Sequence, residues 1–157
     1  MSNEREALPL IFYVDEADSD AYSNRDLWPS SGPNKPSNGE KFIIAMSYGF
    51  KMKLRTPMKD RDPAGYVRGE FFKDDEKALM YAVAVASQGS LDVVLDGKEI
   101  AHIAEEYARG GIALLAQRLA DSPRGTLWDD LEAEVLEETP AADGIENSLS
   151  PRAGANS

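Results

Sequence analysis

The sequence predicts a mainly α protein: a compact helical domain of about four helices, at most one or two short strands, and a disordered acidic tail. Three observations predict it. Apolar residues recur at spacings of three and four over four separate stretches, the pattern of a helix with one buried face. Glycine, proline and acidic residues stand where those stretches begin and end. The 157 residues, 42% of them hydrophobic, suffice for one modest core. The expected division is an N-terminal arm and polar linker over 1–38, a helical core domain over 39–138, and a disordered tail over 139–157.

The elements follow in chain order. Leu8-Pro9-Leu10-Ile11-Phe12-Tyr13-Val14 is short and rich in β-favouring types, hence a strand or a packing arm. Asp15 to Asn38 is polar, with Pro29, Gly32, Pro33 and Pro36, and is expected to be a loop. Asn38 is placed to cap a helix over 40–50, with Phe42, Ile43, Met46 and Phe50 on one face and Gly49 where it would end. Tyr66 to Phe72 reads as a short extended segment. Asp74-Asp75-Glu76 then puts three carboxylates at the start of a helix, where the macrodipole favours them. That helix should run to Gln88, with Leu79, Ala82, Val83 and Ala86 inward and Gly89 after it. Its alanines invite close packing, so it is expected to be the most buried helix.

Leu91 to Gly97 should form a compact turn or short strand. From Lys98 a stripe of Ile100, Ile103, Ala104, Tyr107, Gly111, Leu114, Leu115 and Arg118 keeps helical phase through Gly110-Gly111. Either one long helix crosses a neighbour at the glycine pair or two helices meet there. Glycine costs about 1 kcal/mol in a helix interior, so the pair calls for a packing or functional reason. Pro123 should end this helix. Thr126, with Asp129 three residues on, resembles a capping box for a last acidic helix over 127–138, carrying Leu127, Trp128, Leu131, Val135 and Leu136 on its apolar side.

Charge is unevenly placed. There are 17 Lys and Arg against 28 Asp and Glu, a net charge of −11. Residues 1–38 carry a net −4, residues 126–157 a net −7, and residues 39–125 are balanced. Inside that neutral middle, Lys51, Lys53, Arg55, Lys59 and Arg61 stand against Asp60 alone, a local +4. This run is either a solvated loop or a contact for phosphate or an acidic partner. A general nucleic-acid coat protein is excluded by the overall charge, but only the ends carry that exclusion.

Catalysis is not readable. With no Cys there is no disulfide framework, thiolate metal site or cysteine nucleophile, and the lone His102 cannot build a histidine metal site. His102 is expected to be a satisfied or exposed helix residue. Asp15-Glu16-Ala17-Asp18 spells a helicase signature without a phosphate loop, and lacks the glycine and last glutamate of a calcium loop. Asp74, Asp75, Glu105 and Glu106 could do acid–base work, yet the first two have a capping role and Glu105 stands four residues before Arg109, the spacing of a helix ion pair. The expectation is a protein that is not an enzyme, with no cofactor and no metal. The charged N-terminus and the lack of a long apolar run predict a cytoplasmic protein without a membrane partner.

The order of motifs is informative. Tyr48-Gly49-Phe50, Arg55-Thr56-Pro57, Phe71-Phe72 with Asp74-Asp75, Leu91-Asp92-Val93-Val94-Leu95-Asp96, and above all Glu105-Glu106-Tyr107-Ala108-Arg109-Gly110-Gly111 follow one another in a pattern that resembles the Dnd system-associated protein four family. The resemblance covers roughly residues 39–120, and is more distantly similar to DndE, the small helical DNA-binding subunit of the modification machinery. Dnd systems place phosphorothioate sulfur in the DNA backbone and couple it to restriction of unmarked DNA. The resemblance implies a non-catalytic accessory or adaptor in antiphage defence. Its partners would be other Dnd modification or restriction proteins, with double-stranded DNA and a second copy of the chain as further candidates. The chain departs from the pattern in its acidic ends, whose charge repels a duplex unless held away from it. Those ends motivate the alternative: an acidic regulator that mimics DNA and inhibits a nuclease or DNA-binding complex.

Overall fold

A computed structural model describes residues 7–29, 32–122 and 127–137. The chain divides into two units, Met1–Ala120 and Asp121–Ser157. The first contains strand β1 (Ile11–Phe12), helices α1 (Ser19–Tyr22) and α2 (Asn38–Lys51), strand β2 (Val67–Arg68), helix α3 (Asp74–Gln88) and the long helix α4 (Gly97–Asp121), whose final residue lies in the second. The second contains α5 (Leu127–Glu137), with Asp129 and Asp130 in its first turn. The mainly helical class holds. Pro123, the Thr126 cap and the tail lie outside the described residues.

β1 and β2 pair antiparallel, Ile11 opposite Arg68 and Phe12 opposite Val67. The pairing drives Phe12 into the core, where its ring lies 5.7 Å from Phe42 and 4.9 Å from Phe72, edge on to both. Such contacts add about 0.5–1.5 kcal/mol each beyond area burial. Past Val67 and Arg68, the expected extended segment curls into a 3-10 turn over Gly69–Phe71. Leu91–Leu95 is another 3-10 turn.

The polar stretch after Asp15 is not merely loop. Asp15 caps a 3-10 turn over Glu16–Asp18, α1 follows, and Tyr22, Leu27 and Trp28 are all but fully buried. Three large apolar side chains scattered through polar sequence show no periodicity, which is why the pattern hides them.

α2 begins at the expected cap, so its true cap lies one residue earlier. Ser37 Oγ, not Asn38, accepts the Glu40 N–H at 3.1 Å. It also runs through Gly49 to Lys51, so that glycine lies inside the helix. Beyond the C-cap at Met52, Lys53 turns left-handed at φ 57°.

The burial order of the helices is reversed from expectation. In α3 only Met80, Val83 and Ala84 are buried, while Leu79, Ala82 and Ala86 face outward. Alanine favours helix whether or not it is covered, so its periodicity does not mark a buried face. α4 is the central helix. Ile100, Ile103, Ala104, Ala108, Ile112 and Leu115 are buried on it, together with Glu105 and Glu106.

The glycine pair resolves as one helix crossing two neighbours. A Cβ on Gly111 would enter the Ala45 carbonyl of α2 and come within 2.7 Å of Gly49 N. A Cβ on Gly110 would enter the Leu54 carbonyl, on the chain just past α2. One glycine therefore seats α2, and the other seats the basic loop.

Candidate functional site

The loop from Met52 to Asp62 lies against the middle of α4 and is held both by that helix and by the Val14–Glu16 segment. Thr56 N–H donates to the Glu106 carbonyl at 3.1 Å, and Arg109 donates to the Pro57 carbonyl. Lys59 and Asp60 donate their amides to Asp15 Oδ2 at 2.8 and 2.9 Å, and Asp62 N–H reaches the Val14 carbonyl at 2.9 Å. Asp60 in turn accepts from Glu16 N–H at 2.8 Å. The segment is a backbone-satisfied ledge.

Arg55 and Arg61 are used inside the molecule. Arg55 Nε meets Glu106 Oε1 at 2.6 Å, its Nη1 reaches Ser87 Oγ at 3.2 Å, and its guanidinium lies over the Tyr107 ring at 5.9 Å. Arg61 Nη2 meets Glu105 Oε1 at 3.1 Å and covers the Tyr13 ring at 5.2 Å. Lys53 and Lys59 are exposed and, among the described residues, their side chains make no ion pair; Lys51 is also exposed, in the last turn of α2. Met52 and Leu54 stand between them, both exposed.

Each residue of the Glu105–Gly111 motif except Ala108, which packs in the core, and Gly111, which seats α2, holds this ledge or its flanks. Glu105, 3% exposed, accepts the Tyr13 N–H at 2.7 Å through its other oxygen. Burial pushes its carboxyl up, against the lowering effects of that amide and of Arg61. The expected ion pair of Glu105 with Arg109 does not form, because both turn to partners far away in sequence. Arg109 instead faces Asp15 Oδ2 at 3.4 Å and Asp18 Oδ2 at 3.7 Å. Tyr107 packs edge on against Phe50 and bonds Ser87 through its hydroxyl. His102, half exposed, lies 3.4 Å from Glu106 Oε2, one helical turn on.

Sequence reasoning missed the acidic half of this arrangement. Asp15, 2% exposed, accepts three backbone amides and faces Arg109. Burial raises its pKa, but the amides of Asp60, Lys59 and Ala17 and the Arg109 charge outweigh it and leave the carboxyl below its ordinary range. Asp18 differs. Its Oδ2 is buried without a hydrogen bond, as are the Tyr22 and Tyr66 hydroxyls, whose rings lie 4.6 Å apart. Burial pushes Asp18 up to about 6; Arg109 opposes this and the Asp15 charge adds to it.

Because the folded pKa lies above the unfolded 3.8, the folded chain holds a proton the unfolded chain has lost between those values. That stabilisation is full below the unfolded pKa and is lost as pH rises through about 6. Asp18→Asn, which keeps the neutral shape, is therefore expected to raise the melting temperature by a few degrees at pH 7.5 and to leave it unchanged near pH 4. A melting series across that range checks it. A variant that melts lower at both pH values would show that the Arg109 contact dominates.

Glu105, Glu106 and Asp15 are consumed in holding backbone and cations, and Asp74 and Asp75 stand exposed in the first turn of α3. Among the described residues no group of three metal-ligating side chains converges, and no helix is long and apolar enough to cross a membrane.

Residues 36–146 match the family model described as DNA sulphur modification system-associated protein 4. Neither the curated proteins nor the solved structures contain a match.

Proposed function

The chain belongs to the DNA sulphur modification system-associated protein 4 family, and from that premise we propose that it is a non-catalytic adaptor of a phosphorothioation-linked modification and restriction system. It offers the ledge 52–62 to its partners. Lys51, Lys53 and Lys59 contact DNA backbone phosphate, Met52 and Leu54 meet another protein of the system, and Arg55 and Arg61 hold the ledge in shape from beneath.

The observation that carries this reading is Lys53. It sits just past the end of a helix in the left-handed region, at φ 57°, where glycine is the unstrained choice. A lysine there costs about 1 kcal/mol, and its exposed side chain returns none of that through an ion pair among the described residues. Strain kept at an exposed cation is the mark of a side chain selected for contact rather than for stability.

The test separates the three lysines from the two arginines paired with carboxylates of α4. Reversing Lys51, Lys53 and Lys59 together to Glu should abolish the gel shift of a duplex, and the log–log salt slope of the parent should exceed that of the variant by about 0.9 for every phosphate no longer neutralised. Arg55 and Arg61 are left in place, because reversing them sets a carboxylate against the buried Glu106 and Glu105 and confounds affinity with folding. An unchanged shift rejects the DNA contact and leaves the adaptor role to co-purification with the modification proteins. Nuclease inhibition that disappears when residues 126–157 are deleted would replace this reading with the acidic DNA mimic.

A further inference from the structure

At the opposite end of α2 from the ledge, a second group of cations surrounds an open cavity of about 330 Å³. Arg25, Lys35 and Lys41 line it, with Ser23, Asn24 and Trp28. Two chain segments, the one following α1 and the one entering α2, supply these residues.

Lys41 is fixed. Its Nζ donates to the Tyr22 carbonyl at 3.0 Å and lies 5.8 Å from the centre of the buried Trp28 ring. Trp28 is itself held by donating Nε1 to the Ala21 carbonyl at 3.1 Å. Neither contact cancels the lysine's charge. Among the described residues no lining side chain is acidic, and no ion pair joins Arg25, Lys35 or Lys41 to a carboxylate. Burial first, and the Lys35 ammonium second, hold Lys41 below the usual lysine range. Asn24 Oδ1 accepts the Asp26 N–H at 2.8 Å, which leaves its amide NH2 as a neutral donor. Among its described lining residues the cavity is rich in donors and has no carboxylate.

We propose that this cavity binds a phosphate group, with Lys41 as the fixed cation and Arg25 and Lys35 closing on the remaining oxygens. Three cations are more than a carboxylate, with one charge and two oxygens, can satisfy. A phosphate monoester carries about −1.5 to −2 charges near neutral pH and three terminal oxygens, and the arginine fork matches two of them. The volume falls at the small end of ligand cavities, about 300–1,000 Å³, room for a phosphate together with its sugar. The source is a free phosphorylated molecule, because a DNA backbone diester has one charge and two free oxygens, as a carboxylate does.

The full chain is titrated by calorimetry at constant ionic strength with inorganic phosphate, thymidine 5′-monophosphate and a short duplex, and with acetate as control. One saturable phosphate site is expected, weakened about tenfold or more by Lys41→Gln and by the pair Arg25→Gln, Lys35→Gln, the loss of a charge-assisted bond. Circular dichroism should not change. Arg25 and Lys35 are exposed, so the paired variant tests binding even where Lys41→Gln disturbs α2. Binding confined to inorganic phosphate and the nucleotide supports the proposal; duplex binding that these variants abolish assigns the site to DNA backbone and overturns it. The Lys51, Lys53 and Lys59 reversal should leave phosphate binding intact, so this site stands or falls apart from the ledge. No saturable response, an equal response to acetate, or binding that survives both variants overturns the proposal.

Discussion

Gly111→Ala is expected to lower the thermal melting midpoint of this protein by several degrees or more. The atoms its new methyl would meet are backbone, the Ala45 carbonyl and the Gly49 amide of α2, so no side-chain rotation relieves the clash. Gly49 presses back on the Tyr107 carbonyl and the Gly111 amide in the same way. The helices would have to separate, and separation unpacks Phe42, Met46, Ile112 and Leu115, all of which are fully buried. Overpacking costs about 1–3 kcal/mol where side chains can adjust, and more where they cannot. Set against a total stability of about 5–15 kcal/mol, the loss outweighs the ~1 kcal/mol that alanine gains over glycine as a helix former. A circular dichroism melt decides the matter. A midpoint equal to or above that of the parent would mean that α2 and α4 do not meet backbone to backbone.

Asp15→Ala should cost about 3–5 kcal/mol, the usual penalty for removing one partner of a buried ionic cluster. It strips the acceptor from the amides of Lys59 and Asp60 and leaves the mostly buried Arg109 with Asp18 at 3.7 Å and the Pro57 carbonyl. The effect has a pH signature. The folded Asp15 pKa is depressed, so its contribution is present above the unfolded value of 3.8 and is lost as pH falls through the folded one. Denaturant midpoints of parent and variant should lie far apart at pH 7 and draw together as the pH is taken below 3.8. Amide exchange at Lys59 and Asp60 should speed up before the rest of the chain does. Equal exchange in the two proteins would show that the ledge holds without its carboxylate anchor.

These two positions differ in how far the sequence exposes them. Two adjacent glycines in unbroken helical phase are anomalous on propensity alone, so Gly110-Gly111 signals a close crossing without any geometry. Asp15 carries no such signal. It sits in an acidic run of the kind usually found in water, and its partners are 44 and 45 residues away at Lys59 and Asp60. Glu105 and Glu106 are hidden for the same reason. Spacing on α4 suggests a local pair with Arg109, while the residues that satisfy them come from other segments. Helix bounds, set by local periodicity and end residues, are readable to within a residue or two for α2, α3, α4 and α5. Burial depends on which faces meet, and there the alanines of α3 mislead. The motif order around Glu105–Gly111 is also legible, and the resemblance drawn from it agrees with the family match over residues 36–146. Counting charge locates the basic loop, but a count does not separate a lysine facing solvent from an arginine bound to its own helix.

The bond from Tyr13 to Glu105 spans 92 residues of chain. During synthesis the N-terminal segment leaves the ribosome long before α4 exists to receive it; at about 5–20 residues per second the interval is roughly 5–20 s. Phe12, Tyr22, Leu27 and Trp28, all but fully buried in the finished protein, spend that time without their final cover. The net −4 spread through the same segment sets like charges between nascent chains and discourages their association while they wait. An acidic arm is thereby of use to the chain before it has any partner at all.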